Sequence, residues 1–274
     1  MNQPSFGVDG VSVDIGGTRA LEGITLDAEP GTITAVVGGD GAGKTTLLRC
    51  VVGEVRATVG AVQRPQKRHV GYMPSTSGVW RDLSVSENVA FAGSAYGVDP
   101  AGSRPRELLR AAGLDSVAGR LARDLSGGMR QKLGVVMALL HDPELVVLDE
   151  PSTGVDPVSR VELWRLVSEA AAGGAAVLLA TTYLDEAERA SSLLVLDGGT
   201  ALVSGTAESI TAQVPGTLAA TAKPVYRDRA WRRGTEFHEW WPPHERVADD
   251  LRTIDADLED AVIVEMIARR VPTP

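Results

Sequence analysis

A glycine-rich segment that ends in a lysine and two threonines occupies residues 38–46 of the chain. It matches the pattern G-x-x-x-x-G-K-[ST], in which glycines let backbone N–H groups turn inward around phosphates. Lys44 can reach the β- and γ-phosphates of a nucleotide, and the Thr45 hydroxyl can be a ligand of Mg²⁺. A simple glycine-rich turn is the alternative, and the strand and helix predicted on either side disfavour it. The predicted phosphate-binding residues are Gly38, Gly39, Asp40, Gly41, Ala42, Gly43, Lys44, Thr45 and Thr46.

Two carboxylates follow a short apolar segment at residues 145–148. Parallel strands present the side chains at their carboxyl ends to the ligand crevice of the sheet. Asp149 is predicted to hold Mg²⁺ through water, and Glu150 is predicted to polarise an attacking water. An apolar strand that ends in Asp-Glu is common by itself, so this prediction depends on the glycine-rich loop in the same chain.

A serine and two glycines precede an apolar-patterned segment at residues 129–140. Ser126, Gly127 and Gly128 predict a helix start with free backbone N–H groups, which would be a second anion-binding site. The alternative is a serine that only caps its helix.

The apolar pattern predicts strands that alternate with helices along the chain. Residues 32–37, for example, are an apolar run that ends at the glycine-rich loop, which indicates a buried strand. Such an alternation indicates an α/β fold with a mostly parallel sheet covered on both faces. Strands are predicted at 11–15, 32–37, 69–73, 145–148 and 176–180, and helices at 44–52, 86–96, 106–112, 129–140, 158–172 and 184–190, with a loop at 99–105.

The chain has 274 residues, a formal net charge of −9 and one cysteine. This length allows one large α/β domain, or one domain with a small appendage. Nucleic-acid-binding surfaces are usually basic, so no nucleic-acid partner is expected. Cys50 is predicted to be a buried thiol, and the lack of a second cysteine favours a reducing compartment. No stretch approaches ~18 consecutive apolar residues, and residues 1–10 do not fit a signal peptide, so any membrane role is expected to need a partner.

The composition changes after about Val214. Residues 223–246 are rich in proline, arginine and aromatic side chains, and apolar spacing resumes at 262–267. We expect a main domain over 1–214 and a small accessory subdomain over 215–274. The aromatic residues of the second part are expected to form a small core, with a regulatory or dimer-contact surface as the alternative; they are Trp231, Phe237, Trp240 and Trp241.

Leu-Ser-Gly-Gly-Met at residues 125–129, together with the P-loop at 38–46, resembles the signature of the ATP-binding cassette (ABC) family. Residues 152–156 match the D-loop of that family, and the resemblance covers nearly the whole chain. Two further segments, 185–187 and 257–260, look like the drug and polysaccharide export branch, most of all the first cassette of exporters that carry two cassettes in one polypeptide. The implied fold is an α/β P-loop NTPase cassette with an antiparallel N-terminal subdomain, a helical subdomain over about 75–125 and a small C-terminal appendage.

The resemblance implies an ATP-binding subunit that uses ATP and Mg²⁺ to drive transport, with export as the expected direction. In the family, Ser126, Gly127 and Gly128 would contact the γ-phosphate held by the opposite subunit. The implied partners are transmembrane permease subunits, which dock on the helical subdomain, and a second cassette from a different chain. The implied location is peripheral, at the cytoplasmic face of the cell membrane. A cassette protein acting on DNA or ribosomes is disfavoured, because the chain lacks a long coiled coil and a second P-loop. In the helical subdomain, Trp80 is expected in the core and Glu87 in solvent.

Three positions depart from the family pattern. The aromatic residue that stacks on adenine aligns with Ile15, the glutamine that senses Mg²⁺ and water aligns with Ser75, and the switch histidine aligns with Thr182. Ser75 and Thr182 therefore stand at catalytic positions beside the retained Lys44 and Glu150. Losing one polar group that stabilises a transition state typically costs about 10²–10³ in rate. A largely non-hydrolysing, signature-donating half of an asymmetric heterodimer is thus the alternative to an ATP-hydrolysing subunit.

Overall fold

The N-terminal part of the chain forms an antiparallel sheet in this computed structural model, which describes residues 5–248 and 250–270. Its strands are β1 (Phe6–Ile15), β2 (Thr18–Ala28) and β4 (Val59–Gln63), and β1 lies in the centre. The side chains of Val11, Val13 and Ile24 are fully buried on one face of this sheet. The apolar pattern predicted only residues 11–15 of it.

A six-stranded sheet forms the centre of the fold. In spatial order its strands are β5 (Val70–Met73), β6 (Leu145–Asp149), β7 (Ala176–Thr181), β3 (Ile33–Val37), β8 (Ser192–Asp197) and β9 (Thr200–Gly205). All neighbours are parallel except β8 and β9. Because β3, β6 and β7 are buried along their whole length, their sequences are almost entirely apolar. The four strands predicted here have ends that differ from the observed ones by a single residue.

Helix α1 (Lys44–Val52) has the predicted bounds and packs between the two sheets. Leu47 and Leu48 on its inner face are fully buried, and Cys50 is the buried thiol that was predicted. The helix ends at Gly53, whose left-handed φ of 80° lets its N–H reach carbonyls in the last turn.

A group of helices follows β5. It contains α2 (Val85–Ser94), α3 (Ser103–Ala111) and α4 (Gly127–Leu139), with 3-10 turns at Asp115–Val117 and Ala122–Asp124. The predicted loop at 99–105 is wrong at its end, because α3 begins at Ser103 rather than at residue 106. Pro105 lies in the first turn of α3, where a backbone N–H has no intrahelical acceptor and proline is tolerated.

Two expectations for this helical region have different outcomes. The prediction that Trp80 lies in the core is wrong: it is 44% exposed and makes an edge-to-face contact with the exposed Phe91, with ring centroids 4.5 Å apart. Glu87 is exposed, as expected. Its carboxylate also accepts hydrogen bonds from the hydroxyl and the N–H of Ser84, which completes a capping box at the start of α2 and lowers the pKa of Glu87.

Helix α5 (Pro157–Ala172) packs its leucines against α4 and the central sheet. Helix α6 (Leu184–Ala187) is shorter than the predicted 184–190. The chain continues from it through a 3-10 turn, in which the N–H of Ala190 donates to the carbonyl of Ala187 at 3.0 Å. This tighter turn leads the chain into β8, and just before that strand the N–H of Ser191 donates to the carbonyl of Ile33.

The last part of the chain begins with α7 (Ala207–Ala212) and forms a small antiparallel sheet. The strands in spatial order are β11 (Ala230–Arg233), β12 (Glu236–Trp241), β10 (Thr217–Thr221) and β13 (Arg252–Ile254), followed by α8 (Leu258–Ala268). Trp240 is buried against Leu218 and Val264, so the aromatic segment does contribute to a small core. Trp231 and Phe237 are only half-buried.

Helix α8 belongs to two cores at once. Leu258, Ala261 and Val262 pack with side chains of β3 and β8, whereas Val264 packs under the small sheet. Over residues 5–248 and 250–270, no helix is long and apolar enough to cross a membrane.

Candidate nucleotide-binding site

The glycine-rich loop connects the end of β3 to the start of α1, as predicted from the sequence. Two of its glycines are required by close packing. A Cβ atom on Gly38 would lie 2.5 Å from the carbonyl oxygen of Leu196, and one on Gly43 would lie 2.6 Å from the side chain of Leu21. Gly43 also has a φ of 104°, which a residue with a side chain rarely adopts. The loop therefore wraps tightly at the N-terminus of α1, where backbone N–H groups favour an anion.

The ammonium group of Lys44 lies inside this loop. Its Nζ atom donates to the carbonyl oxygens of Gly38 at 2.7 Å and Gly39 at 3.2 Å, and it forms an ion pair with Oε1 of Glu150 at 3.1 Å. Lys44 is buried, so its charge is fixed in place by these three oxygens rather than by solvent. A buried, oriented cation at the end of a phosphate-sized loop is suited to bind phosphate oxygens.

Asp149 lies at the carboxyl end of β6, next to the first turn of α1. The Thr45 hydroxyl donates to Oδ1 of Asp149 at 3.2 Å, while the second oxygen, Oδ2, is buried without a hydrogen-bond partner. Burial raises the pKa of Asp149, and the hydrogen bond from Thr45 opposes that rise. A threonine hydroxyl beside an unpartnered buried carboxylate oxygen is the kind of hard oxygen pair that fits Mg²⁺.

The described residues contain no cluster of three or more His, Cys, Asp or Glu side chains that could hold a metal ion.

Glu150 has a left-handed backbone conformation with a φ of 53°, which is unusual for a residue other than glycine. Its N–H donates to the carbonyl of Ala180 at 3.0 Å, which ties the end of β6 to β7. Its carboxylate accepts the ion pair from Lys44 on one oxygen and a hydrogen bond from the Thr153 hydroxyl, at 3.0 Å, on the other. The carboxylate is thus held at the cleft wall from two sides.

Lys44, Thr45 and Glu150 border a cleft of about 890 Å³, and Asp149 is joined to it through its hydrogen bond with Thr45. Ser75 and Thr182, at the positions that depart from the family pattern, both line it. Other residues reach the cleft only through the tertiary fold, and no local sequence pattern predicts them. The lining residues are Thr18, Arg19, Ala20, Gly39, Asp40, Gly41, Ala42, Gly43, Lys44, Thr45, Thr46, Ser75, Glu150, Thr153, Thr182, Tyr183 and Gly198.

Ile15 is absent from the described residues that form this wall. It lies at the end of β1, is 50% exposed and pairs with Thr18 across the turn into β2. Thr18, Arg19 and Ala20 border the cleft instead. Because β1 and β2 turn at Gly16 and Gly17, the wall begins after the turn rather than before it.

Ser126, Gly127 and Gly128 start α4 and, among the described residues, contribute nothing to the cleft. The Ser126 hydroxyl accepts a hydrogen bond from the N–H of Met129 at 3.2 Å, so it does cap its helix. Ser126 and Gly127 are exposed, and Gly128 is buried beside Val155. The structure therefore gathers the P-loop, Asp149, Glu150, Ser75 and Thr182 at one site and leaves the signature at a separate surface.

Comparison with known proteins places this site in a family. The profile of the ABC transporter family matches residues 21–153. The daunorubicin resistance ATP-binding protein DrrA3 of Streptomyces coeruleorubidus is 33% identical over 229 residues, which cover 79% of this chain and 72% of that protein. This chain belongs to the ABC transporter family. Its α/β cassette fold, predicted from the sequence, is confirmed.

Other relatives give the same family with different coverage. The Escherichia coli (strain K12) protein named "Probable multidrug ABC transporter ATP-binding protein YbhF" is 38% identical over 198 residues, which cover 68% of this chain but only 34% of that protein. This chain thus spans about one third of the length of YbhF. A solved structure described as the ATP-binding subunit of an ABC transporter has a TM-score of 0.70 at 29% identity and covers 77% of this chain and 93% of that chain. The dimeric bacterial ABC cassette MJ0796 has a TM-score of 0.66 at 19% identity, over 73% of this chain and 98% of that chain, which shows the shared fold.

Proposed function

We propose that this ABC cassette binds and hydrolyses ATP to drive export by membrane-spanning permease subunits. The observation that supports it best is the cleft that Lys44, Thr45 and Glu150 line together, with Asp149 hydrogen-bonded to Thr45. Relatives named for multidrug transport and daunorubicin resistance favour export as the direction. The exposed aromatic pair of Trp80 and Phe91 offers an apolar contact for a partner in the helical region. The proposed location is peripheral, at the cytoplasmic face of the membrane.

Each residue has a distinct part in this proposal. The loop N–H groups and the ammonium of Lys44 bind the phosphate oxygens and fix their orientation. Thr45 and Asp149 would hold Mg²⁺, which neutralises charge on the phosphates when it is bound. Glu150 orients the attacking water and takes its proton, because its carboxylate is fixed at the wall of the cleft.

A second candidate function follows from Ser75 and Thr182. Both line the cleft, yet their short hydroxyls replace the amide and the imidazole of the family pattern. A homodimer would repeat this altered site twice. We therefore propose that the chain pairs with a different cassette and that the exposed Ser126 and Gly127 complete the partner's site.

One experiment distinguishes the two candidates. The complex is reconstituted with permease and partner cassette, and its ATPase rate is measured for Ser126→Arg and for Glu150→Gln. In an asymmetric pair, Ser126→Arg abolishes activity because its bulk blocks the donated surface, whereas Glu150→Gln has a much smaller effect. Ser126→Thr is the control, since threonine keeps the helix cap, whose loss costs about 1 kcal/mol, without the bulk.

If Glu150→Gln stops hydrolysis as completely as Ser126→Arg, or if this chain alone hydrolyses ATP at the full rate of the complex, the asymmetric pairing is wrong. The first candidate, in which this chain itself hydrolyses ATP, is then the correct function. Co-expression with the permease should also move the chain to the membrane fraction.

A further inference from the structure

A buried carboxylate outside the cleft wall has an unusual set of partners. Glu186, on α6, is only 1% exposed. One of its oxygens, Oε2, accepts hydrogen bonds from the hydroxyls of Ser152 at 2.8 Å and of Thr181 at 2.7 Å. A carboxylate is costly to bury unless it is paired and hydrogen-bonded, so this arrangement is specific rather than incidental.

The two hydroxyls come from the two segments that border the cleft on this side. Ser152 lies between Glu150 and Thr153, both of which line the cleft. Thr181 immediately precedes Thr182 and Tyr183, which also line it. A single oxygen atom of Glu186 therefore joins the segment 150–156 to the segment 181–183.

Thr181 and Ser152 also make hydrogen bonds within their own segments. The Thr181 hydroxyl accepts from the N–H of Tyr183 at 3.0 Å while it donates to Glu186, so it fixes the turn that carries Thr182. Ser152 is fully buried, and its carbonyl accepts from the N–H of Val155 at 3.0 Å. The Thr181 hydroxyl thus links the carboxylate to the backbone of its own segment, and Ser152 belongs to a turn that its carbonyl helps to close.

The second oxygen of Glu186 is held less tightly. Its Oε1 lies 3.6 Å from Nε of Arg160, and neither atom has a hydrogen-bond partner in the described part of the chain. Arg160 belongs to α5, which begins directly after segment 150–156, and its guanidinium lies 4.6 Å from the centre of the Tyr183 ring. Like the hydrogen bonds, the ion pair therefore joins the part of the chain after Glu150, here α5, to the region of the turn at 181–183.

We infer that Glu186 is a positioning residue that couples segment 150–156 to segment 181–183, so that Glu150 and Thr182 keep a fixed relation across the cleft. This inference rests on the first proposed function, in which Glu150 of this chain takes part in ATP hydrolysis. Among the described residues, no hydrogen bond or ion pair joins Glu186 to the phosphate-binding loop or to α1, so Glu186 should affect the affinity for nucleotide much less than the rate. What depends on Glu186 is the rate of the reaction, because a displacement of about 1 Å can cost on the order of 10²-fold.

The test compares Glu186→Ala with Glu186→Gln in the reconstituted complex, and Glu188→Gln is the matched control because Glu188 is exposed nearby. Glu186→Ala should lower kcat by about tenfold or more and leave the ATP dissociation constant of the chain unchanged. Glu186→Gln should restore most of the rate, since its amide oxygen accepts from both hydroxyls. Glu150→Gln is measured alongside. An unchanged kcat in Glu186→Ala while Glu150→Gln is slow, or a Glu186→Gln variant as slow as Glu186→Ala, overturns the inference; if Glu150→Gln and Glu186→Ala both keep the full rate, the proposed hydrolysis at this chain's own site is wrong instead.

A second set of variants keeps the test valid if Glu186→Ala does not fold. Ser152→Ala and Thr181→Val each remove one donor and leave the carboxylate in place. If both hydroxyls act through Glu186, the rate loss of the double variant is smaller than the product of the two single losses. Losses that multiply show independent effects and refute the coupling. If the wild-type complex hydrolyses no ATP, the proposed function itself is refuted. If the wild-type complex is active and the losses of the two single variants multiply in the double variant, only the coupling is refuted.

Discussion

The two candidate anion-binding loops differ in how far the chain itself completes them. In the P-loop, Lys44 has three oxygen partners and Thr45 is bonded to Asp149. At the start of α4, by contrast, the side chain of Ser126 makes one bond to its own helix, and Gly127 beside it is exposed. A loop that surrounds a buried cation is organised by the fold of one chain. An exposed helix start becomes a specific site only when another surface brings the ligand to it.

The largest expected effect concerns the buried cation. Lys44→Ala removes a charged hydrogen-bond donor, a loss of about 1.5–3 kcal/mol, which corresponds to ATP binding weaker by about ten- to a hundredfold. Isothermal calorimetry with Mg-ATP measures this directly. Lys67→Ala is the control, because Lys67 is exposed in a 3-10 turn. Equal affinity in wild type and Lys44→Ala would show that the P-loop does not bind the nucleotide.

A double substitution at the cleft wall tests whether Ser75 and Thr182 limit hydrolysis at the P-loop site. Ser75→Gln combined with Thr182→His restores the family's side chains to the P-loop site, and the ATPase rate of the chain alone should rise by about tenfold or more. Thr76→Gln, at an exposed neighbouring position, should leave the rate unchanged. Without a rise in the double variant, the two hydroxyls are not what limits this site.

The smallest expected effect is on stability, at Asp149. Burial raises the pKa of this carboxyl above its ordinary value of about 3.9, so the folded chain disfavours the ionised form. The contribution of Asp149 to the free energy of unfolding is therefore complete when the pH is below the ordinary pKa, and it is lost as the pH rises through the raised pKa of the folded chain. In EDTA at pH 7, Asp149→Asn should melt at the same temperature as wild type or slightly higher.

That difference should vanish toward pH 3, where Asp149 is protonated in both the folded and the unfolded chain. The stabilisation by Mg-ATP should be lost in Asp149→Asn and kept in Asp82→Asn, since Asp82 is largely exposed. Thermal denaturation with and without Mg-ATP provides both readings. A clearly lower melting temperature of Asp149→Asn in EDTA at pH 7 contradicts the sign of the effect.

Local signals account for the parts of the fold that were predicted well. The bounds of α1 follow from a glycine loop before it and Gly53 after it, and β3, β6 and β7 are almost entirely apolar. The strand β2 gave no such signal, because it is half exposed and its pairing with β1 is interrupted by irregularities between Val8 and Asp14. Alternation of apolar and polar residues is unreliable where a strand contains bulges.

The residues of the candidate site also fall into a group that local sequence signals predict and a group that they do not. Residues within a motif, such as Lys44 and Asp149, could be predicted as site residues because their type and spacing are sufficient for such a prediction. Arg19 and Tyr183 reach the cleft only because distant elements meet there, so no pattern near them predicts it. The exposure of Trp80 depends likewise on what packs around it, and the residue type alone does not reveal this.

The double packing of α8 has a consequence for how the chain unfolds. Its residues Leu258, Ala261 and Val262 share a core with Val37, and Val37 directly precedes the phosphate-binding loop. A chain shortened at residue 214, where the composition changes, would remove this apolar cover from β3 and β8 and expose their side chains to water. The cooperative unit of unfolding is therefore longer than the cassette portion, and the C-terminal segment and the phosphate-binding loop should lose their structure in one transition.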